Sequence, residues 1–201
     1  MSAKTKEAPR VCHALLSDST LYRMLLEFDR DLARQARAAR CSCGGALHSA
    51  DYPRKPRGGP VDLPAEYKRR LSLCCAQEGC RKRTTPASLR FLGRRVYLAA
   101  VVVLATAMQG GITEERAGRL HKLVGVSLRT LKRWRAWWRA GFAESSFWKA
   151  ARGRFCPPVD VQALSRSLLE RFTGETERAK LIGALVFIKP LTTTSAGRAG
   201  S

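Results

Sequence analysis

Two short stretches, "CSCGG" at 41–45 and "CCAQEGC" at 74–80, hold most of the chain's seven cysteines. Thiols in tight, glycine-bearing turns can ligate a metal. Zinc takes four soft or borderline ligands in a tetrahedron, commonly two from each of two turns whose free backbone N–H groups stabilise thiolate charge. Cys41-x-Cys43 with Gly44-Gly45 behind it supplies one turn, and Cys75-x4-Cys80 with Gly79 before its second cysteine supplies the other. Cys41, Cys43, Cys75 and Cys80 are therefore the candidate ligands of a Zn²⁺ ion. Cys74 is an alternative to Cys75, and strand alternation favours Cys75 because it shares a face with Leu71 and Leu73. His48 is an alternative to Cys43, and Cys12-His13 is a further contributor to weigh. No C-x-x-C is present, which argues against a redox pair. The competing reading is that these thiols are small buried side chains, as free cysteines often are.

The second constellation is "AGRLHKLVGVSLRTLKRWRAWW", 117–138, with the order of a helix-turn-helix: short helix, glycine turn, apolar residue, serine, second helix. Val126 and Leu131 bracket Ser127 as a hydrophobic staple around an N-cap. At 100° per residue, Leu128, Leu131, Trp134 and Trp138 share one side, and Arg129, Lys132 and Arg133 lie away from it. Arg129 and Arg133, one turn apart, are placed to take guanine O6 and N7 bidentately. Lys132, Ser127 and Thr130 suit phosphate. Arg135, at the apolar edge, is a weaker candidate. The alternative is a basic helix in a bundle with a solvated arginine face. The tryptophans read as core.

Lys plus Arg outnumber Asp plus Glu by 37 to 16, a net charge of +21. Such a surplus, spread through an apolar-rich sequence, calls for a polyanionic partner; nucleic acid, bound with counterion release, is the expected one. The longest apolar runs, 96–108 and 181–188, are shorter than the roughly 20 residues of a spanning helix. With no signal peptide evident, a cytoplasmic location and reduced thiols are expected. Catalysis is not expected. The acids are scattered; Asp29, Asp31 and Asp51 are the only trio to consider for a two-metal centre, and Asp29 and Asp31 read as helix-surface charges. "YPRKPRGGP" (52–60) has some likeness to a minor-groove hook, but Arg57-Gly58-Gly59-Pro60 lacks a second arginine, so a plain basic loop is expected.

The elements that must position these residues follow from periodicity. Leu21, Leu25, Phe28 and Leu32 mark an amphipathic helix capped by Asp18 or Ser19 and running to about Arg40. A Pro/Gly loop covers 52–64. Alternation at Tyr67, Arg69, Leu71 and Leu73 predicts a strand, with 88–92 as its hairpin partner. An apolar helix is expected over 94–108, stopped by "QGG", then a helix from Glu114 capped by Thr113. Helices at 160–172 and 177–188 follow, the last open to a strand reading. The expected fold is mainly α with a small β zinc ribbon: a disordered N-terminus (1–16), a helix plus zinc-ribbon module (17–93), a helix-turn-helix module (94–141), a C-terminal helical segment (142–190) and a disordered tail (191–201).

Paired cysteines, the basic "RKRTTPASLRF" that follows Cys80, and a helical DNA-binding pattern downstream together resemble the zinc-ribbon plus helix-turn-helix proteins encoded by bacterial transposable elements. The resemblance spans roughly 41–140. It departs from the family pattern at the first knuckle, which is C-x-C, and in lacking the acidic triad of a full transposase. It implies an accessory factor in transposition that recognises duplex DNA, with a transposase or other element-encoded protein as partner. A stand-alone transcriptional regulator and an RNA-binding zinc-ribbon protein are the competing functions.

Overall fold

The structure is a computed structural model that describes residues 14–93, 97–107 and 113–193. Cys12-His13, the remainder of the N-terminal segment, Met108 with the "QGG" stop, and the tail from 194 lie outside the described residues. Residues 14–16, grouped by sequence with the disordered N-terminus, form a helical turn in which Leu16 is buried.

Helix α1 (Ser19–Ala38) starts where a cap is available: Asp18 accepts from the backbone N–H groups of Thr20 and Leu21. Its stripe buries Leu21, Leu25 and Leu26, and also Asp29. Asp29 is not the surface charge expected from sequence. It is 1% exposed and faces Arg90, which is fully buried. The Asp29 carboxylate accepts from Arg90 Nε at 2.7 Å, from the Ser88 hydroxyl at 2.5 Å and from the Leu89 N–H at 2.6 Å. Arg90 spends its other nitrogens on the carbonyls of Tyr67 and Arg69, at 2.9 and 3.0 Å. The charges are thus both paired and hydrogen-bonded, the condition under which ions survive in an interior.

Strands β1 (Leu47–Ser49), β4 (Leu73–Cys75) and β5 (Arg83–Thr84) form a three-stranded antiparallel sheet in that order; β2 (Tyr52–Pro53) and β3 (Arg69–Arg70) form a separate pair. The strand expected from 67 onward is broken. Ala65–Lys68 is a 3₁₀ turn, and Asp51 accepts the Ser72 N–H at 2.9 Å where β3 and β4 part. The partner of β4 is β5, with Leu73 opposite Thr84, rather than 88–92. That segment instead wraps Asp29.

Helix α2 (Ala99–Ala107) is apolar on every side and buried along its whole described length, as a helix surrounded by others must be. The expected start at Arg94 does not hold at its described end: Tyr97 and Leu98 make β-bridges to Arg57 and Phe91, and 94–96 lie outside the described residues. Helices α4 (Leu128–Ala136), α6 (Leu164–Leu169) and α7 (Glu177–Ile188) pack around α2. Helix α3 (Glu114–Val124) precedes α4, and α5 (Ser146–Ala151), unread in the sequence, is capped by Ser145. The helix expected over 160–172 is only the short α6. The 177–188 segment is a helix capped by Thr176. One apolar core runs from Leu15 to Ile188, so the segments expected as successive modules share an interior. Among the described residues no helix is long and apolar enough to cross a membrane.

Removing one partner of a buried ion pair strands the other charge, at a cost of about 3–5 kcal/mol. Asp29→Ala is expected to lower the unfolding free energy measured by urea denaturation by that much. Glu66→Ala, which breaks the exposed Arg30–Glu66 pair, should cost about 0–1 kcal/mol.

Candidate functional site

The sheet of β1, β4 and β5 holds two turns over one point. The first turn leaves α1 through Arg40, which takes a left-handed φ of 60°. It closes with the Gly44 N–H on the Cys41 carbonyl at 2.8 Å and the Cys41 N–H on the Gly45 carbonyl at 3.0 Å. The second turn leaves β4 at Cys75 and closes with the Cys80 N–H on the Gln77 carbonyl at 3.1 Å. Gly44, just after the second cysteine of its turn, and Gly79, just before the second cysteine of its own, take left-handed φ of 84° and 80°, a conformation glycine adopts without steric cost. The pairing of Leu47 with Cys75 aligns the turns.

The sulfurs of Cys41, Cys43, Cys75 and Cys80 lie within 4.8 Å of one another. Cys41 Sγ is 3.8 Å from Cys80 Sγ, and Cys43 Sγ is 3.5 Å from Cys75 Sγ. These separations far exceed the roughly 2.05 Å of a disulfide bond, and the described cysteines are all free. The set is compatible with a metal site. Neither alternative ligand belongs to it. Cys74 points to the other face of β4, its thiol on the Arg81 carbonyl at 3.4 Å, and His48 pairs with Cys74 across the strands and is exposed.

The electrostatics of the cluster are those of thiols competing for too little charge stabilisation. The Cys43 backbone N–H holds the Cys41 thiol down to about 6, while burial pushes the Cys75 thiol up to about 12. A bound cation would reverse the burial penalty. Around the sulfurs, the Gln77 N–H points to Cys75 Sγ at 3.4 Å. Gly45 is the closest neighbour: a Cβ there would stand 2.7 Å from Cys75 Sγ and 3.3 Å from Cys43 Sγ. Sequence reading took Gly45 as a turn residue; its role as the wall of the sulfur cluster depends on β1 returning beside β4.

The second candidate site is built by α3, a three-residue turn and α4. Gly125 ends α3 with φ of 66° and its N–H on the His121 carbonyl. Val126 is fully buried. The Ser127 hydroxyl accepts the Thr130 N–H at 3.3 Å and donates to the Thr130 hydroxyl at 3.1 Å, so Ser127 is spent as a cap and the Thr130 hydroxyl keeps its proton to donate. Leu131, Trp134 and Trp138 are buried and Leu128 is half-buried, the side expected. Tyr97 sets its ring edge-on to Trp134 at 4.9 Å and donates to the Gly125 carbonyl at 3.0 Å.

Arg129, Lys132 and Arg133 are exposed, and among the described residues none has an acidic partner. From 116 to 143 the sequence holds no Asp or Glu. Arg135 is half-buried at the apolar edge of α4. Burial, with the Arg139 and Arg116 charges beside it, lowers its pKa from the usual guanidinium range, which marks a cationic cluster at the apolar edge of α4. Its signal in the sequence is the Arg135–Arg139 spacing of one helical turn. The aromatic chain continues through a π-helical turn, Trp137–Phe142, into Trp148, so Trp134, Trp138 and Trp148 serve the interior.

Comparison with family models, with curated proteins and with solved structures finds no match to this chain.

Gly45→Ala is expected to weaken metal binding by about tenfold or more, the scale seen when groups supporting metal ligands are disturbed. Competition against a chromophoric chelator measures it. Gly118→Ala, where an added Cβ meets nothing within 4 Å, should leave metal affinity unchanged.

Proposed function

We propose that the protein is a zinc-stabilised duplex-DNA-binding factor, with α4 as its recognition helix and the four cysteines as a structural metal centre. The observation that carries the reading is the pairing pattern on α4: its outward face presents Arg129, Lys132 and Arg133 with no acidic partner among the described residues, in a chain of net charge +21. Several cations elsewhere are paired with acids within the protein, as in Arg30–Glu66, Lys149–Glu144 and Arg178–Asp18.

Zinc is the ion the donor set suits. Four sulfurs and no oxygen exclude the hard cations, and a closed set of four protein ligands suits a structural site. A tetrahedron with Zn–S bonds of about 2.3 Å has edges of roughly 3.8 Å, against the observed 3.8 and 3.5 Å. When bound, zinc supplies charge neutralisation for the thiolates and a crosslink between the two turns. Cys41, Cys43, Cys75 and Cys80 would hold it.

On DNA, Arg129 in the first turn of α4 and Arg133 one turn later would reach base edges, preferring guanine O6 and N7. Lys132 and the Thr130 hydroxyl would meet phosphates, and Arg135 would add to the local positive field. Ser127 would act by starting the helix at the right residue. The ribbon, with zinc bound, would hold the basic segment after Cys80 as a fixed surface. The resemblance of these motifs to element-encoded ribbon and helix-turn-helix proteins makes an accessory role in transposition the context we favour, with an element-encoded protein as second partner.

Purified protein is expected to carry one zinc per chain by elemental analysis, and Cys-to-Ser changes at 41, 43, 75 or 80, but not 74, should abolish it. A metal-free, stably folded chain would overturn the zinc assignment. On a duplex selected from random sequence, Arg129→Ala and Arg133→Ala should each lose about 1–3 kcal/mol of discrimination; unchanged affinity and preference for both would refute the recognition-helix assignment.

A further inference from the structure

The basic loop at 54–57 is not a loose segment. Pro53 and Pro56 fix φ on either side of Lys55, and the Arg54 N–H is held by the Lys68 carbonyl at 2.7 Å. Arg57 makes a parallel β-bridge with Tyr97, its carbonyl accepting the Leu98 N–H at 3.1 Å. The two glycines that follow take left-handed φ values of 76° and 93° and lie against the core. A Cβ on Gly58 would stand 2.9 Å from Val101, and one on Gly59 would stand 3.0 Å from Leu98 and 3.2 Å from the Tyr22 ring. Such backbone is built to sit flat on α2, with the side chains of Lys55 and Arg57 left in solvent. Neither has an ion-pair partner among the described residues.

The loop's anchor is also the anchor of the recognition helix. Tyr97, bridged to Arg57 through its backbone, donates its hydroxyl to the Gly125 carbonyl at 3.0 Å and packs its ring on Trp134. One tyrosine residue, through its backbone on one side and its side chain on the other, therefore spans from the basic loop to the turn that starts α4. Lys55 and Arg57 are held at a fixed offset from the N-terminal end of α4, where Arg129 and Thr130 lie.

From this placement we infer that Lys55 and Arg57 form a second nucleic-acid contact, gripping the phosphate backbone beside the groove that α4 enters. The inference rests on the reading of α4 as the recognition helix and deepens it. The contact is with phosphate rather than base: the two side chains stand on a short, flat loop without the reach of a helix into a groove. It positions the protein on the duplex and carries no sequence information.

The test measures affinity of the full chain for the selected duplex and for a scrambled duplex across a salt series, comparing the parent with Lys55→Ala/Arg57→Ala and with Arg129→Ala. The loop variant is expected to weaken binding to both duplexes by the same factor and to reduce the magnitude of the log–log salt slope by about 1.8, at about 0.9 per lost phosphate contact. Lys55→Arg/Arg57→Lys should restore the slope. An unchanged melting temperature shows the loop variant is folded, since only exposed atoms are removed. If the slope is unchanged while Arg129→Ala alters sequence preference, the loop inference falls and the recognition-helix reading stands. A loss confined to the selected duplex also overturns it, by making the loop a base reader. If the parent binds neither duplex, both readings fall together.

Discussion

The fold turns on a carboxylate and a guanidinium with no access to water. Asp29 comes from the middle of α1, and Arg90 from the segment that runs between β5 and α2. Together with Ser88, Leu89 and the carbonyls of Tyr67 and Arg69 they satisfy one another inside the core. Arg90 also lies over the rings of Tyr67 and Phe91, at 5.0 and 4.9 Å, which adds cation–π attraction where desolvation makes it strongest. A buried pair of this kind is weak as a source of net stability, because desolvation offsets much of the Coulomb gain. What it supplies here is exclusivity. Any other docking of α1 on the 88–92 segment would strand a charge, so the pair selects one relation among α1, β3 and the entrance to α2.

That selection matters because the small β region, β1 to β5 with the two cysteine turns, has little interior of its own. Its apolar cluster is Cys41, Leu47, Leu73 and Cys75, with Ala36 and Cys80 at the margin. So small a cluster cannot offset the conformational entropy of ordering two turns and five short strands. This β region is therefore held from two directions. Arg90 ties β3 and the preceding 3₁₀ turn to the main core, and the cysteine cluster ties the tip of β4 to the end of α1. With thiols alone the second tie is poor, since burial resists thiolate charge at Cys75; with a divalent cation it becomes a crosslink whose binding energy is folding energy.

Local features were legible in the sequence where their causes are local. The caps at Asp18, Thr113 and Ser127, the apolar side of α4 and the span 177–188 follow from propensity, staple and period. Cys75 could be favoured over Cys74 because strand alternation is a two-residue rule, whereas the choice between Cys43 and His48 needed the register of β1, which sets His48 opposite Cys74. What escaped depends on distant partners. Asp29 sits on a helix face that is otherwise an ordinary apolar stripe, and its partner is 61 residues away. The break between β3 and β4 comes from the Asp51 side chain, 21 residues upstream, taking the Ser72 N–H, and once that break exists Arg83–Thr84 is the nearer return strand. The continuity of the core across 93/94 and 141/142 was hidden because α2, apolar all round, gives no hint of which neighbours will enclose it.

Charge and structure separate along the chain. Acids are placed where they complete internal contacts: Asp29 in the core, Asp51 at the strand break, Asp18 at the cap of α1 and in a pair with Arg178. The stretch from 116 to 143 has none, although a solvated helix usually gains from acids one turn before its basic residues. Helices α3 and α4 forgo that gain after the first turn of α3. Burial first, and then the like charges of Arg139 and Arg116, depress the Arg135 pKa. Buried aromatics beneath, Trp134 and Trp138, hold the helix in place without help from surface ion pairs. The surface above can then remain a cationic face, and on the proposed reading of α4 contact with a polyanion would offset the stability that face costs in isolation.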